Sequence, residues 1–138
     1  MLELDHPSTF TSVSNLASVL RDQGKYAEAE EMNRRALAGR EKVLGVDHPD
    51  TLTSVGNLAS VLQDQGEDAE AEEMNRRALA GHEKVLGADY PDTLISIYCL
   101  ADLLSNTQRF SEALSLYDRA VAGYRRVLGP EHPTTVAC

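Results

Sequence analysis

Apolar residues along this chain fall in short stripes at helical spacing, and the stripes themselves recur. Val13, Leu16, Ala17 and Leu20 stand at i, i+3, i+4 and i+7, the spacing that lines up side chains on one face of an α-helix. Ala29, Met32, Ala36, Leu37, Val43 and Leu44 form a second stripe, and Gly24 and Gly45 follow the two as stop signals. Ser8 or Thr9 is placed to cap the first helix, with Pro7 just outside it. Shifting the sequence by 42 residues lays Pro7 on Pro49, Pro91 and Pro133, and Gly45 on Gly87 and Gly129. The pattern predicts helices at about 8–23, 26–44, 50–65, 68–86, 92–107 and 110–128, in repeats at about 7–48, 49–90 and 91–132. A fixed period in this range is the mark of a solenoid. The expected fold is all-α: a right-handed α-solenoid of three antiparallel helix pairs plus the start of a fourth, with residues 1–138 as one domain. Met1–Asp5 read as the tail of an earlier unit, so the sequence is expected to be a piece of a longer array.

Between the first two repeats only eight positions differ: Ser8/Asp50, Phe10/Leu52, Ser14/Gly56, Arg21/Gln63, Lys25/Glu67, Tyr26/Asp68, Arg40/His82 and Val46/Ala88. The third drifts further, with Gln108 for Gly24 and Tyr117 for Asn33, yet Ile97, Leu100, Ala101 and Leu104 keep register. Charges in the second helix are ordered along its axis. Glu28, Glu30 and Glu31 come early and Arg34, Arg35, Arg40 and Lys42 late, each sign at the end the helix dipole favours. Glu30–Arg34 and Glu31–Arg35 are i,i+4 pairs, and the charges are expected to form a solvated outer face. Gly39, Gly81 and Gly123 interrupt the second helix of every repeat. They imply either close approach by a neighbouring helix or a bend, and close packing is the favoured reading.

Composition narrows the function. The net charge of −9 and pI near 4.8 oppose a nucleic-acid surface, which draws on clustered Lys and Arg, and docking on anionic membranes. No apolar run reaches the length of a membrane span and no signal peptide is visible. Cys99 and Cys138 do not recur at the repeat period and make no disulfide framework. A reduced, cytoplasmic setting is expected. His6, His48 and His132 recur in the loops before Pro7, Pro49 and Pro133, but stacked helices lie about 8–10 Å apart, too far for a shared metal. They are read as capping or packing residues. Phosphate loops, catalytic carboxylate pairs and zinc spacings are absent. No cofactor is expected, and the chain is not expected to be an enzyme.

A helix pair with small residues at set places resembles the tetratricopeptide repeat (TPR). The family's Leu-Gly pair falls on Leu16-Ala17, its Tyr on Leu20 and its two alanines on Ala29 and Ala36. Leu58-Ala59, Leu62, Ala71 and Ala78 follow, then Leu100-Ala101, Leu104, Ala113 and Ala120. The early Trp is replaced by Val13, Val55 and Ile97, and the closing Pro by Glu41, Glu83 and Arg125. The longer period is similar to the 42-residue variant of kinesin light chains and of the repeat arms of NOD-like signalling NTPases.

The resemblance implies that the first helices line a concave groove that binds a peptide or helix. The groove positions it implies are Thr11, Ser14, Asn15, Ser18, Arg21 and Asp22; then Thr53, Gly56, Asn57, Ser60, Gln63 and Asp64; then Ile95, Tyr98, Cys99, Asp102, Ser105 and Asn106. Asn15 and Asn57 match the asparagine that bonds a bound peptide backbone, a task suited to an amide with two donors and an acceptor. Asp22, Asp64 and Asp102 against one Arg21 favour a basic or small-polar peptide, and Ile95 and Tyr98 are candidate apolar anchors. The expected function is a non-catalytic protein-interaction scaffold. The alternative is a self-associating structural or sensor arm of a larger signalling protein, a homo-oligomer joined through uncapped repeat ends.

Overall fold

The computed structural model describes residues 7–128. It holds the helices α1 (Pro7–Asp22), α2 (Tyr26–Leu44), α3 (Pro49–Asp64), α4 (Asp68–Leu86), α5 (Pro91–Asn106) and α6 (Phe110–Leu128). Each helix packs on the next along the chain, so three antiparallel pairs stack into a solenoid. The proposed start of a fourth helix, with His6 and His132, lies outside the described residues.

The even-numbered helices match the sequence pattern in both bounds, whereas α1, α3 and α5 begin and end one residue earlier than expected. The proline is inside the helix because its fixed φ and missing N–H suit the first helical position. The cap therefore falls one place upstream and is not Ser or Thr in α3 and α5. His48 has extended backbone, and its Nδ1 accepts from the Asp50 N–H at 3.0 Å. Tyr90 takes the same conformation without a side-chain bond.

Within each repeat one side chain of the first helix presses onto the glycine of the second. A Cβ added at Gly39 would lie less than 3.0 Å from the Phe10 ring, and one at Gly81 or Gly123 would crowd Leu52 or Leu94 as closely. The glycines thus permit close packing, and the approaching helix is the partner in the same repeat. Around these contacts, α3 is sealed by neighbours on both sides, with Val55, Leu58, Ala59 and Leu62 all buried. The equivalent stripe of α1 is not. Ala17 is buried, but Leu16 is 49% exposed where its counterpart Leu58 is 1% exposed. Helix α1 has α2 on one side and no described helix on the other. Val43, Val85 and Val127 are likewise exposed rather than core, because the second helix is 19 residues long against 16 for the first and its last turn overhangs.

Most of the charges expected on a solvated face lie exposed there, and several also join successive repeats. Arg34 bonds Glu30 at 2.7 Å in its own helix and Glu70 at 2.9 Å in α4. One repeat on, Arg76 does the same with Glu72 and Glu112. Arg77–Glu41 and Arg119–Glu83 form a second rung at 2.7 and 3.0 Å. Exposed pairs add little singly; as a periodic ladder they hold the register of one helix against the next.

The turn inside each repeat carries a left-handed residue, Gly24 at φ 79° and Gly66 at φ 81°. Gln108 adopts φ 66° at the third turn, where a side chain is strained. Replacing Gln108 by Gly should stabilise the chain by about 0.5–1 kcal/mol in chemical denaturation. Gly81→Ala should destabilise it by about 1–3 kcal/mol through overpacking on Leu52. Gly56→Ala, with nothing within 4 Å of the new Cβ, should instead stabilise by about 0.5–1 kcal/mol. Equal effects of the two alanines would contradict the close contact at Gly81.

Candidate functional site

The repeat period brings equivalent positions of α1, α3 and α5 side by side. None of the eighteen groove positions of the sequence reading is buried. A recess of about 260 Å³ opens between α3 and α5, with walls from Thr53, Asn57 and Ser60 on one side and Ile95 on the other, and with Arg21 reaching in from α1. A smaller hollow of about 30 Å³ between α1 and α3 takes Ser18, Arg21 and Asn57. Asn57 thus borders both. Thr11, Asn15, Asp22, Gln63, Asp64, Tyr98 and Asp102 lie outside these hollows. Among the described residues neither Asn15 nor Asn57 is tied down through its side chain. At the third asparagine position stands Cys99, which has no amide to offer a peptide backbone.

Two of the three acidic groove residues are already engaged. Asp64 is ion-paired with Arg21. Asp102 accepts from the Tyr117 hydroxyl, whose ionisation burial and the adjacent carboxylate both push up. Tyr117 also meets Tyr98 edge-on at 5.1 Å, so Tyr98 packs against α6 and the core beside it. Asp22 remains exposed.

Sequence reasoning missed the floor. It assigned every groove position to the odd-numbered helices, but Asn75, Ala78 and His82 of α4 line the base of the recess, with Asp92 and Ser96 beside them. His82 is 4% exposed, its Nδ1 lies 2.7 Å from Ser96 Oγ, and its Nε2 has no partner among the described residues. At the same place in the first repeat stands Arg40, 8% exposed. Its guanidinium donates to Ser54 Oγ at 2.8 Å, and at 3.4 Å to the Asp50 carbonyl and Thr11 Oγ1. The expectation of a solvated Arg40 is therefore corrected. The signal was present in the spacing, since position 40 lies four after Ala36 and three after Leu37 and so continues the buried stripe.

Burial depresses the His82 pKa below the ordinary 6.5, and the charge of Asp92 only partly opposes it. Folding favours the neutral ring, so the unfolded chain binds more protons as pH falls. Stability should be level well above the ordinary histidine value of 6.5 and should decline as the pH falls through it. His82→Gln should flatten that decline in urea titrations at stepped pH. Glu30, Asp89 and Glu112, held low by arginine partners, act in a lower window. An unchanged slope in the variant would remove His82 as the cause.

Among the described residues no group of three or more His, Cys, Asp or Glu is placed to hold a metal, and no helix is long and apolar enough to cross a membrane. In sequence, a tetratricopeptide-repeat profile matches residues 8–84 and 54–105, and a second one matches residues 93–134. No curated protein matches the chain. In structure, the chain is similar to a kinesin-light-chain-type protein with nearly identical TPR-like repeats from Podosopora anserina. The TM-score is 0.84 at 32% identity, covering 93% of this chain and 61% of that one. A substituted form of that protein gives 0.84 at 30% identity, with 96% and 62% covered. BtubC (BKLC) from P. vanneervenii gives 0.82 at 20% identity, with 97% and 53% covered, a likeness of fold alone. The chain thus spans between about half and three fifths of the length of these structures. With profiles covering both halves of the sequence and the same stacked helix pairs, this chain belongs to the tetratricopeptide-repeat family.

Proposed function

We propose that the chain is a non-catalytic scaffold that holds an extended basic or small-polar peptide along the face made by α1, α3 and α5. The observation that carries this reading is the recess between α3 and α5, where Arg21, Thr53, Asn57, Ser60 and Ile95 converge. Repeats of this family mediate protein–protein interaction in general, and this face supplies what a peptide needs. Asn57 presents an amide to a backbone, Ile95 is exposed as an apolar contact, and Thr53 and Ser60 offer hydroxyls. With Asp64 paired to Arg21, the negative charge left to attract a ligand is that of Asp22, Asp92 and Asp102. An Asn15/Asn57 double alanine variant should weaken peptide ligands selected from a charge-diverse library by about tenfold, one to two lost hydrogen bonds, without altering the melting curve. Selection of acidic peptides, or unchanged affinity in the variant, would overturn the reading.

A second reading, self-association, rests on the two outer faces of the described stack. Leu16 and Val19 of α1 are 49% and 52% exposed and Val121 of α6 is 44% exposed, whereas their counterparts Leu58, Val61 and Leu79 are 1%, 1% and 8% exposed. Apolar surface of this kind is covered in a stack by the next repeat. Light scattering across a concentration series separates the readings: end-to-end oligomers favour assembly, and a monomer with peptide affinity favours the scaffold.

A further inference from the structure

We propose that the recess floored by His82 is a specificity pocket for an arginine side chain of the bound peptide. This rests on the groove reading above and names what one of its pockets selects. The argument comes from the two near-identical repeats. In the first, the Arg40 guanidinium lies in the stack against Ser54 Oγ, the Asp50 carbonyl and Thr11 Oγ1. Each acceptor has its counterpart one period on, in Ser96, Asp92 and Thr53, and all three border the recess. The guanidinium alone is missing there, because position 82 is His.

The shorter side chain has two consequences. It leaves an opening of about 260 Å³, several times the roughly 30 Å³ share of a water molecule and enough for a planar cationic head. It also leaves His82 Nε2 buried and unpartnered among the described residues, a costly state for a polar atom. In the tautomer that donates Nδ1–H to Ser96 Oγ, Nε2 is a bare acceptor within the floor of the recess. A guanidinium entering from the groove donates to Nε2, to Thr53 Oγ1 and to Asp92, so a forked donor meets separated acceptors. Charge agrees with shape. Arg21 at the rim is neutralised by its pair with Asp64, leaving Asp92 as the uncompensated charge at the wall.

The test uses the whole chain, ¹⁵N-labelled, titrated with an acetylated, amidated Gly-Ser-Gly-Arg-Gly-Ser-Gly peptide and with its citrulline twin, followed by NMR. Citrulline keeps the shape and loses the charge. The expected result is saturable shifts at the Asn57 amide and His82 ring, with the arginine peptide favoured by about tenfold or more. His82→Arg, which copies the arrangement already accepted in the first repeat, should fill the pocket and abolish that preference. Arg40→His should open a second pocket and give two sites, with new shifts around Thr11 and Ser54. Equal binding of the two peptides, full arginine preference in His82→Arg, or no saturable shifts in the parent chain would each overturn the proposal. Library-selected peptides keep the outcomes distinct. Ligands weakened by Asn57→Ala but indifferent to His82→Arg leave the groove reading standing and remove the arginine pocket. Ligands indifferent to both remove the two together.

Discussion

The close seat of one side chain on one glycine, repeated three times, governs the geometry of this molecule. Phe10 on Gly39, Leu52 on Gly81 and Leu94 on Gly123 each allow no Cβ at the glycine. Glycine inside a helix costs about 1 kcal/mol relative to alanine, and here the return is the separation of the two helices of a repeat. With that separation fixed, small residues can fill the remainder of the interface. Ala29, Ala36, Ala71, Ala78, Ala113 and Ala120 are all buried where a looser pair would need larger side chains. The low aromatic content of the chain follows from the same constraint.

Tight pairing also decides what the groove can expose. Because the second helix of a repeat lies close behind the first helices of its own and the next repeat, residues on its inner edge reach the base of the concave face. Asn75, Ala78 and His82 do so in α4. The groove therefore has walls from one set of helices and a floor from the other. A polar group at the floor must find a partner inside the stack, as Arg40 does, or leave capacity unfilled, as His82 does. The walls carry a different burden. They are hydrated, so their side chains can vary with little cost to the fold.

This division explains what was legible in the sequence. The fold was, because the 42-residue spacing and the stripes at 3.6-residue period are set by local geometry. The bounds of α2, α4 and α6 were legible to the residue, and the offset in the others came from proline taking the first helical position. Burial was legible only where a residue has neighbours on both sides: Leu16 and Leu58 have the same local sequence and opposite exposure. The inter-repeat ladder, such as Arg34 to Glu70, was hidden because it joins residues 36 apart that share no helix. The floor was hidden for the same reason. Arg40 looked like one more charge in a basic stretch, and its bonds run to Thr11 and Ser54 in two other helices.

The differences between the first two repeats bear on which of these parts carries specificity. Of the eight substitutions, Lys25/Glu67, Tyr26/Asp68, Ser8/Asp50 and Val46/Ala88 fall in turns, loops and helix starts, and Phe10/Leu52 exchanges one knob on its glycine for another. In each of the other three, Ser14/Gly56, Arg21/Gln63 and Arg40/His82, one member borders the recess. Gly56 removes a side chain from the wall, Gln63 removes a positive charge from the position of Arg21, and His82 shortens the floor. All three changes enlarge the space in the second repeat or make it less positive. The stack accommodates the floor exchange because both side chains meet the same serine position of the next repeat, Arg40 at Ser54 and His82 at Ser96. Two units with the same core thus present unlike surfaces, and the unlike part includes the face proposed to hold a peptide.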